Sequence, residues 1–256
     1  MPRIHDLARV KAALDRDRAW SAYAIGDLSA QLVGNCAWYA PAEGSDAIIL
    51  IYRGFKPSIA FAIGRALDLA PLFQEIAERE LSLHVQQEGL DAMAPRYRPI
   101  DLQRMWRMVL APSAFNPVST RAVVAVDEAD LAAVTALYED GRRHGEGPTH
   151  FHPSMLGQKS FRAVREGVDV IAVAGSHLYS RDLGVCTIGN VYTRRDRRRR
   201  GLAAQVTTAV VQDAMADGID TIVLNVSQDN HGARRVYEQL GFSVYCEFFE
   251  GKAESV

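Results

Sequence analysis

The sequence contains little cysteine and no long apolar run, and both absences exclude classes of protein. The three cysteines, Cys36, Cys186 and Cys246, lie too far apart for a metal-ligand spacing or a disulfide framework. This usage suits a reducing compartment, so we expect a cytoplasmic protein. No stretch approaches the roughly 18 consecutive apolar residues of a transmembrane helix, and we expect no membrane partner. The charged N-terminal residues do not match a signal peptide.

Lysine is also scarce, whereas arginine is concentrated at one place. The 29 basic residues include only four lysines, and the net charge of the chain is −2. Residues 194–200 contain six arginines and one aspartate, and outside this segment 23 basic residues face 30 acidic ones. An acidic chain is a poor polyanion binder, so we expect no nucleic-acid partner. The local positive charge instead predicts a site for one small anion.

The overall composition is that of an ordinary globular protein. Of the 256 residues, 48% are hydrophobic and 23% are charged, which excludes disordered and fibrous classes. The length allows one large domain or two modest ones. Two prolines, Pro112 and Pro117, flank a short polar segment that is typical of a linker. We therefore predict an N-terminal α/β domain over residues 1–112, without catalytic function, and a second domain over residues 118–256.

Both predicted domains have a mixed α/β pattern. Short apolar runs predict strands in the first half, at 48–52, 59–63, 81–85 and 102–110, and in the second half, at 168–173, 186–193 and 221–226. Helical spacing predicts helices at 69–80, 128–140, 154–165, 202–216 and 230–240. The expected fold class is α/β with a mixed sheet.

The arginine segment lies between a predicted strand and a predicted helix. A helix N-terminus presents unpaired backbone N–H groups and a partial positive charge, which together attract anions. Gly201 lets a ligand approach the backbone closely, and Ala203 keeps the first helical turn open. The segment is neither a Walker A loop nor a dinucleotide-binding fingerprint, because the required glycine and lysine spacings are absent. A pyrophosphate is the anion that suits such a turn.

Two motifs in the second half occur in the order found in the GNAT superfamily of acyl-CoA-dependent N-acyltransferases. Residues 198–203 fit the family's phosphate loop, Arg/Gln-x-x-Gly-x-Gly/Ala. Residues 230–242 fit its second motif, Asn-x-x-Ala-x-x-x-Tyr-x-x-x-Gly-Phe. The sequence therefore resembles this family over about residues 120–250. An N-terminal half of degenerate GNAT-like fold before an active half is similar to the tandem members of the superfamily.

The resemblance implies a role for each matching residue. The strand before the loop would offer backbone groups to the pantetheine arm, and the loop would hold the pyrophosphate of acetyl-CoA. Asn230 would contact the cosubstrate, and Tyr237 would be the general acid that protonates the departing thiolate. The implied binding residues are Val191, Thr193, Arg198, Arg199, Arg200, Gly201, Leu202, Ala203 and Asn230.

The general base departs from the family pattern, because no Asp or Glu lies between Asp182 and Asp196. His177 is our first candidate, since a histidine is suited to accept a proton from an ammonium group near neutral pH. A water chain is an alternative. So is a residue of the polar loop that follows the first helix of this half, where the candidates are Glu139, Asp140, His144, Glu146, His150 and His152.

Each of these features also has a simpler interpretation. The arginines can form a solvated charge cluster, although their place between a strand and a helix start favours cofactor phosphates. His150 and His152 lack the neighbouring ligands that a zinc site needs, so we predict no metal. We predict an N-acetyltransferase that moves the acetyl group of acetyl-CoA to a primary amine in a ternary complex. The alternative is a non-catalytic acyl-CoA-binding regulator or scaffold. A small-molecule or peptide amine is the expected acceptor, and a homodimer is a possible assembly.

Overall fold

The computed structural model describes residues 3–42, 44–148, 151–158 and 160–256. The chain forms two compact units. The first contains Met1–Arg107, Val226–Asp229 and Tyr245–Val256, and the second contains Met108–Asn225 and Asn230–Val244. These units differ from the predicted ranges at the C-terminus. The final strand groups with the N-terminal unit, because its residues Phe249 to Glu254 pair with a strand of that unit.

The first unit is built from strands and four helices. The helices are α1 (Leu7–Leu14), α2 (Arg18–Gly26), α3 (Ala66–Gln74) and α4 (Gln87–Met93). The strands are β1 (Arg3–Ile4), β2 (Cys36–Tyr39), β3 (Ile48–Tyr52), β4 (Ser58–Ile63), β5 (Glu80–Val85) and the larger part of β6 (Tyr97–Leu110). Strands β1 to β5 lie side by side in chain order, and the last strand of the chain, β12 (Phe242–Ser255), pairs with β5.

Apolar residues cover both faces of this sheet. On one face, Leu69, Leu72 and Phe73 of α3 pack into a core with the strands. On the other, the ring of Trp20 in α2 lies 5.3 Å from that of Phe61 and donates a hydrogen bond to the carbonyl of Ala62. The predicted strands at 48–52, 59–63 and 81–85 are therefore confirmed. The predicted helix at 69–80 is shifted, because the chain already leaves the helix after Gln74 to enter β5.

The second unit has strands in the order β11-β10-β9-β8-β7. These are β7 (Val123–Val126), β8 (Phe161–Glu166), β9 (Asp169–Ser180), β10 (Val185–Thr193) and β11 (Thr221–Ser227). Its helices are α5 (Leu131–Arg142), α6 (Leu202–Ala216) and α7 (His231–Gln239). The pairing is antiparallel except between β10 and β11, which are parallel and joined through α6.

The two units repeat one arrangement. In the first unit, β4 and β5 are likewise parallel and joined through α3, after antiparallel strands. A parallel pair needs such a crossover connection, which is usually helical. The shared order of antiparallel strands followed by strand, helix and parallel strand confirms the expected mixed α/β class in both halves.

The predicted helix at residues 154–165 is wrong. Pro153–Gln158 form a short 3-10 segment, and Phe161–Glu166 form strand β8. Phe161 and Ala163 are buried, while Arg162 and Arg165 between and after them are partly exposed. Pairing to β7 and β9 on either side stabilises a strand here, although a few apolar residues of the segment also fit helical spacing.

The predicted linker is fixed against the end of α7. The backbone N–H of Asn116 donates to the carbonyl of Leu240 at 3.0 Å, and its side-chain amide donates to that of Gln239 at 3.1 Å. Gly241 follows α7 with a φ of +99°, and a Cβ there would lie 2.0 Å from the carbonyl oxygen of Ala114. Only glycine fits, both in conformation and in space.

Gly241→Ala should therefore destabilise the protein by about 2 kcal/mol or more, since the new methyl group collides with backbone and strains φ. Urea unfolding measures the change. Gly232→Ala is the matched control, because the nearest atom to a Cβ at that helical position is 3.9 Å away. The control should unfold at the wild-type urea concentration or above it. Equal losses in both variants would contradict this account of Gly241.

Candidate active site

Strand β10 is irregular where the predicted site begins. Its parallel register with β11 runs from Val185 opposite Thr221 to Ile188 opposite Leu224. On its other side, Gly189 pairs with Gly175 and Tyr192 with Val173. Two residues of β10 therefore oppose one residue of β9, which is a β-bulge, and the first of them, Asn190, has a φ of +54°. A bulge leaves its extra residue unpaired in the ladder, as the predicted backbone contacts of Val191 with a ligand would require.

Helix α5 holds this bulge in place. The hydroxyl of Tyr138 donates to the carbonyl of Asn190 at 2.7 Å, in a buried contact. The amide nitrogen of Asn190 donates to the sulfur of Met155 at 3.6 Å. Burial raises the pKa of Tyr138, so the phenol stays protonated and keeps donating. Tyr138 was not among the predicted site residues, although a hydroxyl on the buried face of a helix needs a partner.

After Thr193 the chain forms the arginine loop, which we define as residues 194–200, and then enters α6. Arg199 and Gly201 both have positive φ, +63° and +71°. Gly201 is the N-cap of α6, and no side chain caps this helix end. Side chains cap helices α1, α2 and α7, whereas α3, α4 and α5 have no side-chain cap. The N-terminus of α6, 15 residues long, therefore offers its backbone N–H groups to an external anion.

Acidic side chains pair with most of the arginines in the loop. Glu146 pairs closely with Arg198 and lies 3.7 Å from Arg195. Glu166 pairs with Arg197 at 2.8 Å and lies within 4 Å of two further loop arginines, and Asp196 pairs within the loop itself. These contacts hold the pKa of Glu146 below its usual value, through the hydrogen bond from Arg198 first. Arg199 makes no ion pair with any residue that the structure describes.

Asp140 ties the loop to the end of α5. Its carboxylate accepts a hydrogen bond from the hydroxyl of Tyr192 at 2.9 Å and one from the backbone N–H of Arg195 at 3.4 Å. Burial and the bond to Asp140 raise the pKa of Tyr192 to about 12. The guanidinium of Arg198 lies 5.5 Å from the centre of the Tyr192 ring, a cation–π distance. Arg198 is therefore placed by an aromatic face as well as by Glu146.

The second motif forms α7. Asn230 is its N-cap, and the side-chain oxygen accepts a hydrogen bond from the N–H of Ala233 at 3.1 Å. This contact leaves the cosubstrate role of Asn230 a prediction. Tyr237 lies two turns further along the same helix and is 7% exposed. Its ring and that of Phe242 meet edge to face, with the ring centres 6.1 Å apart. The motif's final Gly241 and Phe242 thus close the helix and hold the tyrosine ring.

His177 lies inside β9, which continues to Ser180. Its ring packs on the backbone of Gly189. A Cβ placed at Gly189 would lie 2.3 Å from the ring carbon Cε1. The absence of a side chain at Gly189 therefore makes room for the histidine beside the bulged part of β10. This neighbourhood was not predictable from the sequence, since it depends on the register of two strands.

The other candidate bases have local partners. Glu139 pairs with Arg142 at 2.5 Å. A ring nitrogen of His144 lies 2.7 Å from the carbonyl of Asp140, and one of His152 lies 2.8 Å from the hydroxyl of Ser154. His150 lies outside the described residues. Within the described ranges, no cluster of His, Cys, Asp and Glu is arranged to hold a metal ion.

A family model described as "Acetyltransferase (GNAT) family" matches residues 131–242. This segment contains the bulged strand, the arginine loop and α7. Residues 131–242 therefore form a domain of the GNAT acetyltransferase family. The matched range begins at α5, so the helix that holds the bulge is part of the GNAT domain.

Solved structures extend the likeness to almost the whole chain. A putative GNAT-family acetyltransferase from Novosphingobium aromaticivorans is 20% identical, with a TM-score of 0.64 over 92% of this chain and 97% of that one. A GCN5-related N-acetyltransferase from Kribbella flavida is 18% identical, with a TM-score of 0.62 over 93% and 94%. A tandem GNAT protein from the clavulanic acid biosynthesis pathway is 13% identical, with a TM-score of 0.54 over 98% and 97%. At these identities the likeness establishes the fold, which includes the N-terminal half.

The search of curated proteins finds no match. In the part of the chain that the structure describes, no helix has the length and apolar character needed to cross a bilayer.

Tyr138→Phe tests the anchor of the bulge. The variant leaves the Asn190 carbonyl buried without its donor, so the free energy of unfolding should fall by about 1–2 kcal/mol. Chemical denaturation measures this loss. Tyr179→Phe is the control, because the Tyr179 hydroxyl bonds the partly exposed Asp217 and removing it should cost less. A Tyr138 variant as stable as wild type would contradict the anchoring role.

Proposed function

We propose that this protein transfers the acetyl group of acetyl-CoA to a primary amine of a small molecule or peptide. The observation that carries the proposal is the direct passage from a bulged strand, through an arginine loop, to an uncapped helix N-terminus. This passage lies within the residues that match the GNAT family. Family membership supports an acetyltransferase, and the site geometry suggests which residues act.

The residues present fit the parts of acetyl-CoA. The N–H groups of Arg199 to Ala203 and the Arg198 guanidinium suit the pyrophosphate, since a helix N-terminus and arginine both favour oxyanions. The backbone of Val191 and Thr193 suits the amides of the pantetheine arm. The hydroxyl oxygen of Thr193 is buried and has no hydrogen-bond partner in the structure, so it is available to a polar group of the cosubstrate.

Proton transfers accompany the exchange of bonds at the thioester carbon. The amine nitrogen attacks this carbon, forms the C–N bond and expels the sulfur as the C–S bond breaks. His177 takes the proton that the amine must lose, and Tyr237 gives a proton to the departing thiolate. The backbone at the bulge orients the thioester, and holding both substrates together supplies the main advantage over solution.

The N-terminal unit is proposed to bind no acyl-CoA. Its equivalent helix, α3, follows Gly64 and Arg65, without the loop motif of the second half. Asp68 lies in the first turn of α3 and accepts a hydrogen bond from Arg65 at 2.9 Å. A carboxylate thus already complements this helix end, and its charge repels a second anion.

The function is tested by incubating the protein with acetyl-CoA and a panel of amines that includes amino acids, polyamines, aminoglycosides and peptides. Release of free thiol reports turnover, and at least one amine should give a rate above the hydrolysis background. Binding of acetyl-CoA without turnover across the panel would favour a regulatory or scaffold protein. No binding at millimolar concentration would exclude both functions.

Tyr237→Phe should lower kcat by about 100-fold and leave the dissociation constant of CoA nearly unchanged, because the acid acts only as the thiolate leaves. Steady-state kinetics and calorimetry measure the two quantities. Tyr179→Phe removes a hydroxyl at the far end of the β9–β10 hairpin and should keep the wild-type kcat. An unchanged kcat in the Tyr237 variant would remove this residue from the role.

His177→Gln should lower kcat/KM for the amine about 100-fold, because glutamine keeps a polar side chain but does not accept the proton. The dissociation constant of CoA should stay nearly unchanged. Steady-state kinetics on a single amine and calorimetry measure the two quantities. A variant with the wild-type kcat/KM assigns the proton transfer to another group.

A further inference from the structure

Glu146 lies in a tight turn at the end of α5. We define residues 141–147 as the acidic turn, after the carboxylate of Glu146. Its backbone N–H donates to the carbonyl of Gly141 at 3.0 Å, and Gly145 in the turn has a φ of +68°. The carboxylate of Glu146 contacts the arginine loop. It accepts a hydrogen bond from Nη2 of Arg198 and lies 3.7 Å from Nη1 of Arg195.

Arg198 has supports that do not depend on Glu146. Its Nε donates to the carbonyl of Thr193 at 3.2 Å, and its guanidinium rests over the ring of Tyr192. Nη2 also lies 3.4 Å from the Tyr192 hydroxyl. The guanidinium is therefore held in position by the strand that precedes the loop. Glu146 adds an ion pair on Nη2, which is not needed to position Arg198.

We propose that Glu146 is a positioning residue that competes with the cosubstrate phosphates for Arg198 and links their binding to the acidic turn. The inference rests on the proposed function, since it takes acetyl-CoA as the ligand of the loop. When the pyrophosphate arrives, it replaces the carboxylate on Arg198. The acidic turn then loses its bond to Arg198.

The exposure of the pair makes this exchange feasible. The side chains of Glu146 and Arg198 are 37% and 39% exposed, and ion pairs at such exposure contribute little free energy. A pyrophosphate carries more charge than a carboxylate and also meets the N–H groups of α6. The carboxylate is thus a weak competitor that is displaced at a small cost in affinity.

The sign of one affinity change tests the competition. Glu146→Gln should bind CoA about two- to fivefold more tightly than wild type, because the competing charge is gone and Arg198 keeps its other supports. Calorimetric titration with CoA measures this. Asp182→Asn removes the same charge in the β9–β10 turn, at the opposite end of the hairpin, and should leave the dissociation constant unchanged. Equal or weaker binding by the Glu146 variant contradicts the competition.

A double-mutant cycle with Arg198 adds a second measure. In an Arg198→Ala background, Glu146→Gln should change the CoA affinity by less than about 1.5-fold, since the partner is absent. If the gain in CoA affinity is as large as in the wild-type background, it comes from general charge repulsion between Glu146 and the phosphates. That result overturns the proposal.

Amide hydrogen exchange measures directly whether the acidic turn is released. CoA should speed amide exchange in the acidic turn of the wild type while slowing it at the start of α6. Slower exchange in both segments contradicts the release. If CoA gives no heat of binding and does not slow amide exchange at α6, the proposed function fails. If CoA binds but amide exchange in the acidic turn is unchanged, the proposed function stands and only this inference is rejected.

Discussion

The hydrogen bond from Tyr138 to the carbonyl of Asn190 is the contact on which the rest of the site depends. It stabilises a backbone conformation that a residue other than glycine adopts at some cost, and so keeps two residues of β10 opposite one of β9. The bulge shifts the register of β10 against β9 before Tyr192, and Val191 and Thr193 lie in and after this shift. The chain then continues into the arginine loop. The same helix that supplies Tyr138 then supplies Asp140 to the loop.

Charge is the second constraint, and it explains why an acidic chain contains six arginines in seven residues. Glu146, Glu166 and Asp196 pair with five of the six loop arginines, so these side chains are held in defined places while the loop keeps a net positive charge. Only part of that charge serves the anion site. Arg198 is placed by an aromatic ring and a backbone carbonyl, while Arg194 and Arg197 bind the loop to Glu166.

Local signals in the sequence predicted much of the fold. Helix α6 occupies the predicted range, since a glycine with positive φ precedes it and its apolar residues have helical spacing. Residues 154–165 were misassigned, because β8 depends on its neighbours β7 and β9 and not on its own spacing. Helices α1 and α2 and strand β12 were not predicted, and their positions also depend on long-range packing.

The site was predictable only where a motif is continuous in sequence. The phosphate loop and the tyrosine helix are such motifs. Tyr138, Glu146 and the packing of His177 on Gly189 join residues 12 to 52 positions apart, so they depend on strand register and on the bulge. No single-sequence pattern contains that information.

One acyl-CoA site per chain is expected, at the N-terminus of α6. Titration of the protein with acetyl-CoA in a calorimeter, repeated at several salt concentrations, measures the number of sites and their affinity. We expect saturation at one equivalent per chain, with an affinity that falls as salt rises, because phosphates displace ions from the arginine loop. A second equivalent of similar affinity, or no heat at millimolar acetyl-CoA, is inconsistent with a single site at α6.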